Sequence, residues 1–112
     1  VRPLVPDISF VRNERLRGLT REEAQIPLFA PDIAFEILSP SNRRPDIDDK
    51  IDVLLRAGTE LVVVIDPIRR IAELHDGAGK CVLSEDTLLA HAALPGFSYV
   101  LRELFAELEL PT

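Results

Sequence analysis

A chain of 112 residues makes one small domain with a modest core, expected here to run over residues 1–112. Its 46% hydrophobic and 29% charged residues describe a soluble globular protein of the cytoplasm, and the longest apolar run, Leu61 to Ile65, is far short of the roughly 20 residues of a membrane-crossing helix, so no membrane partner is expected. A single cysteine, Cys81, excludes an internal disulfide and, with two separated histidines, a zinc site, while the net charge of −6 argues against a protein that grips DNA by electrostatics alone.

In chain order, Pro6 to Val11 predict a strand, with Ile8 and Phe10 on one face and Asp7, Ser9 and Val11 on the other. A polar, arginine-rich connector runs from about Arg12 to Ala30, with one helical turn expected near Thr20 to Ala24. Pro31 to Leu38 echo the first strand, placing Ile33, Phe35 and Ile37 opposite Asp32, Ala34, Glu36 and Leu38. Residues 45–57 predict a helix, opened by Pro45 and three aspartates, striped by Ile47, Ile51 and Leu54, and stopped by Gly58. Glu60 to Asp66 form a β-branched run suited to a central strand, ended by Pro67. Ile68 to His75 and Lys80 to Leu83 predict a hairpin across Asp76-Gly77-Ala78-Gly79, and Leu101 to Leu108 a short helix after the turn at Leu94-Pro95-Gly96. The expected fold class is mixed α/β, a single mixed sheet with flanking helices.

If the two similar strands pair antiparallel, Asp7 meets Glu36, and alternation puts both on the face opposite the Ile and Phe rows. Asp32 lies roughly 13 Å from Glu36 at strand rise and suits a turn. Two adjoining carboxylates in a partly desolvated groove repel unless one is protonated or a cation lies between them. Magnesium, with manganese as its substitute, fits such oxygen ligands and can contact phosphate oxygens. On the helix, Lys50 lies about 60° from Ile47, on the rim of the buried stripe, where its stem can carry the ammonium towards the carboxylates. Glu36, inside the apolar run FEIL, needs a partner if buried. A plain strand-to-helix salt bridge with Lys50 explains the pair as well as catalysis does.

Charge is uneven along the chain. Residues 1–56 carry nine Lys and Arg against ten Asp and Glu; residues 57–112 carry four against nine. In the first half Arg12, Arg15, Arg17 and Arg21 form one basic group and Arg43, Arg44, Lys50 and Arg56 another. Arg43 and Arg44 are candidate DNA-phosphate contacts, against the alternative of a solvated loop. No serine elbow, cysteine–histidine pair, HExxH or glycine-rich phosphate loop occurs, and no organic cofactor is expected.

The segments VPDISFVRNERL, PDIAFEILSPSNRRPDIDDKIDVLLRAGTELVVVIDP and LPGFSYVLRELF resemble the Uma-type restriction endonucleases, a family of the PD-(D/E)XK nuclease superfamily. The resemblance spans nearly the whole chain and is most specific from Pro31 to Pro67. It implies metal-dependent hydrolysis of DNA phosphodiesters, with Asp7 and Glu36 as cation ligands and Lys50 as the catalytic amine. The superfamily's usual lysine position, two residues after the second acid, is Leu38 here. The resemblance also implies an upstream hairpin and a helix bearing a further glutamate. The chain opens at Val1 and contains no methionine, so a truncated portion with an exposed sheet edge, and with it a homodimer, are expected. A degenerate nuclease fold kept as a binding or assembly module is the alternative function.

Overall fold

The computed structural model describes residues 6–17 and 30–109. The helical turn expected near Thr20 to Ala24 lies outside them. Five strands form one mixed sheet in the order β1 (Ile8–Phe10), β2 (Ile33–Ile37), β3 (Leu61–Asp66), β4 (Ile71–Asp76), β5 (Gly79–Ser84). The β1–β2 pair is antiparallel, β2–β3 parallel, and the remaining two pairs antiparallel. Parallel neighbours require a crossover, which α2 (Arg44–Arg56) supplies.

Helix α2 forms where its stripe predicts. Ile47, Ile51 and Leu54 are buried against Ala34, Val62 and Val64 on one face of the sheet. Gly58 ends it with a φ of 107°, a conformation an L side chain rarely adopts, and the Thr59 amide returns to the Leu54 carbonyl at 3.0 Å. On the other face, α3 (Leu101–Leu108) packs Leu101 and Phe105 on Ile33, Leu61, Val63, Ile65, Ala72 and Leu74. Both faces of β3 are therefore covered, and all six of its residues are buried, as the unbroken LVVVID run requires.

Three local features differ from the sequence expectation. Ile68 to Arg70 do not join the strand: the Asp66 carboxylate accepts the amides of Ile68 and Arg69 at 3.1 and 3.0 Å, and Arg70 sits at a φ of 56°, so a tight turn delays β4 to Ile71. The connector holds a one-turn helix, α1 (Asn13–Leu16). A two-stranded ribbon of β6 (Leu88–Leu89) and β7 (Tyr99–Val100) stands beside the main sheet and leads into α3.

The β1 edge is short and carries exposed Ile8 and Phe10, the latter edge-on to Phe35 with ring centroids 5.9 Å apart. Among the described residues, no helix is long and apolar enough to cross a membrane.

Candidate active site on the α2 face

The register of the first two strands decides where their acids fall. Ile8 pairs with Phe35, Ser9 with Ala34 and Phe10 with Ile33. One further step sets Asp7 opposite Glu36, on the face that α2 covers, since opposed residues of an antiparallel pair project to the same side. The Asp7 carboxylate accepts the Ile37 amide at 2.7 Å, and so continues the ladder past the end of β1 with a side chain in place of backbone. One of its oxygens is thus held by the strand that carries Glu36.

Glu36 is buried, 3% exposed, beside Ala34 and Val64. The Lys50 ammonium approaches its Oε1 at 2.9 Å as an ion pair, and beyond Lys50 that buried oxygen has no hydrogen-bond donor among the described residues. Burial pushes the Glu36 carboxyl above the usual carboxylate range, Lys50 opposes the shift, and the Asp7 charge adds to it. Lys50 is itself largely buried, its side chain 18% exposed, with the stem along the rim of the helix. Lys50 of α2 thus meets Glu36 of β2, while Asp7, just before β1, is held on the amide of Ile37, the residue after Glu36.

Asp32 stands apart. Its carboxylate accepts the Arg12 amide at 2.7 Å and its own amide donates to the Phe10 carbonyl at 2.9 Å, which fastens the end of β1 to the start of β2. Arg43 is exposed just before α2. Arg44 is committed elsewhere: its guanidinium forks onto both oxygens of Glu73 at 2.9 and 2.6 Å and its Nε meets Asp48 at 2.8 Å.

Glu73 is the buried acid that the sequence reading passed over. It is 3% exposed in the middle of β4, with the His75 ring at 2.8 Å and the Lys80 ammonium at 3.8 Å in addition to Arg44. Burial alone would raise its pKa; the hydrogen bonds from Arg44 and His75, with the charges of Arg44 and Lys80, overcome that and lower it from 4.5 to about 2. The signal was present, because IAELH interrupts an apolar strand with a carboxylate just as FEIL does. A folded-state value below the unfolded one means stability that is complete above pH 4.5 and lost as pH falls towards 2. Glu73→Gln is expected to lower unfolding free energy at pH 7 by about 3 kcal/mol and to flatten the acid limb of the stability curve, as denaturant melts across pH 2 to 7 will report.

Among the described residues no group of three or more His, Cys, Asp and Glu side chains is placed to hold a metal ion. The pair Asp7 and Glu36 nevertheless suits a hard cation: both donors are oxygens, one oxygen is buried with no hydrogen-bond donor beyond Lys50 among the described residues, and magnesium needs only one or two carboxylates alongside water.

Residues 2–106 match the family model described as "Uma2: Putative restriction endonuclease". The chain belongs to the Uma2 family. A solved structure described as "a putative nuclease belonging to DUF820", from Anabaena variabilis ATCC 29413, is similar to the Uma2 chain at 26% identity and a TM-score of 0.67, covering 73% of this chain and 48% of that one. The Uma2 chain thus spans about half the length of that protein. No curated protein matches it. The mixed sheet between helices is accordingly a nuclease-like fold.

Proposed function

We propose that this Uma2 chain contributes the cation-binding and amine groups of a magnesium-dependent endonuclease that hydrolyses DNA phosphodiesters. The carrying observation is the buried Glu36 carboxylate, which has Lys50 at 2.9 Å and Asp7 as its cross-strand neighbour. A structural salt bridge alone needs no second carboxylate beside the first, and Asp7 makes the site less favourable by raising the Glu36 pKa. A cation shared by the two acids removes that conflict.

Bound magnesium would supply Lewis-acid stabilisation of a phosphoryl oxygen and acidify a water. Asp7 and Glu36 would hold it, with manganese able to substitute. Lys50, anchored on a rigid helix, can donate to the attacking water or to a nonbridging phosphoryl oxygen as charge grows there. Exposed Arg43, just before α2, is the candidate phosphate contact. Arg44, which Glu73 and Asp48 already engage, is better suited to holding the helix.

The experiment is plasmid cleavage with magnesium, comparing the parent chain with Asp7→Ala and Glu36→Gln. Cleavage that requires both the cation and the two acids supports the proposal. Stable complex formation with DNA but no turnover on varied substrates would favour the binding or assembly module instead. Self-association through the β1 edge, where Ile8 and Phe10 are 46% and 53% exposed, is a further expected outcome. Sedimentation equilibrium should give a dimer that Phe10→Glu disperses; a monomeric parent would remove it.

A further inference from the structure

The strand registers set Glu36, Val64 and Glu73 in one row across the α2 face of the sheet. The two acids flank the strand on which the helix rests, roughly 10 Å apart at two strand spacings. Taking 100° per residue, Arg44 and Lys50 lie about 60° to opposite sides of Ile47 on the helix. Each rim of α2 therefore carries one cation, and each cation meets one acid of the row: Lys50 meets Glu36 at 2.9 Å, and Arg44 grips Glu73 at 2.6 and 2.9 Å. Between them run only the apolar contacts of Ile47, Ile51 and Leu54, which resist separation from the sheet but have little direction of their own.

We infer that Glu73 is a positioning residue for the proposed site: by gripping Arg44 it fixes the roll of α2 about its axis, and so sets Lys50 over Glu36. The reading rests on the nuclease assignment only for the purpose of this placement; the clamp itself is a matter of packing. Its second fork matters, because a two-bond guanidinium–carboxylate contact fixes orientation where a single ammonium contact does not. Glu73 is in turn held by His75, two residues along the same strand, at 2.8 Å, and Arg44 by Asp48, one helical turn on, at 2.8 Å. Both halves of the grip are thereby tied to their own elements. Pro45 follows directly, within the first turn of the helix, so the anchor acts where α2 enters the sheet face.

The test compares the parent with Arg44→Gln, Glu73→Gln, Lys50→Ala and the double variant Arg44→Gln/Lys50→Ala. The chain has two lysines, Lys50 and Lys80, so acylation of the Lys50 amine can be followed by peptide mass spectrometry without DNA or metal. Releasing the roll of the helix is expected to speed Lys50 acylation about threefold or more in Arg44→Gln and in Glu73→Gln, at temperatures where circular dichroism shows them folded. Where DNA is cleaved, kcat is expected to fall about tenfold in Arg44→Gln with KM retained, and Arg44→Gln should add nothing further in the Lys50→Ala background. A contact that only stabilises the fold would lower the melting temperature and leave Lys50 acylation unchanged. Arg44→Lys, which keeps the charge without the fork, should fall between parent and Arg44→Gln, and decides the matter if Arg44→Gln does not fold. Unchanged Lys50 acylation in folded variants overturns the inference. A parent that cleaves no DNA overturns the nuclease assignment instead, and acylation then decides the clamp alone.

Discussion

Glu36→Gln is expected to reduce magnesium-dependent cleavage about a thousandfold or more while leaving the chain at least as stable as the parent at neutral pH. The loss follows from removing an anionic ligand at the point where the cation would stabilise phosphoryl charge, an effect of several kcal/mol. The stability half has the opposite sign from an ordinary core substitution. Burial raises the Glu36 pKa, so its contribution to stability is present below the unfolded value of 4.5 and is lost as pH rises through the raised folded value. The charged form of the buried carboxyl therefore opposes folding as pH rises, and a neutral amide of the same shape does not. A melting temperature no lower than the parent's at neutral pH, with the difference shrinking towards pH 4, is the expected thermal-melt result. A loss of activity that simply tracks a loss of fold would count against the ligand role.

Lys50→Ala should separate the two explanations of the strand-to-helix ion pair. As a catalytic amine, Lys50 accounts for a fall in kcat of about a hundredfold with cation binding kept within a few-fold by calorimetry. As a salt bridge only, it accounts for a fall in stability alone. A stability loss of about 2 kcal/mol is expected in either case, because the variant leaves Glu36 buried without its ammonium. The deciding quantity is thus kcat measured well below the melting temperature. A folded Lys50→Ala chain with unchanged kcat would assign the lysine to structure.

Much of the fold is written locally. The stripe of Ile47, Ile51 and Leu54 specifies α2, the unbroken Leu61–Asp66 run specifies a strand covered on both faces, and Gly58 marks the helix end. The repeated Pro-Asp-Ile words align Asp7 with Glu36 because side-chain alternation has period two, so one correct antiparallel register fixes the whole row. What escaped sequence reading is set by competition or by distance. Asp66 captures two amides and turns Ile68 to Arg70 out of the strand that their apolar neighbours suggest. The β6–β7 ribbon has two residues in each strand, too few for alternation to register. Arg44 looks like a phosphate contact in a basic loop until β4 brings Glu73 beneath it, a pairing across 29 residues that no local pattern reveals.

Diffraction from crystals grown with manganese, located by its anomalous signal, tests the central claim most directly. The expected result is an ion bound about 2.1 Å from one oxygen each of Asp7 and Glu36, with Lys50 beside it, and no such ion in Glu36→Gln crystals. Manganese bound elsewhere, or an Asp7–Glu36 pair that takes no cation at saturating concentration, would contradict it.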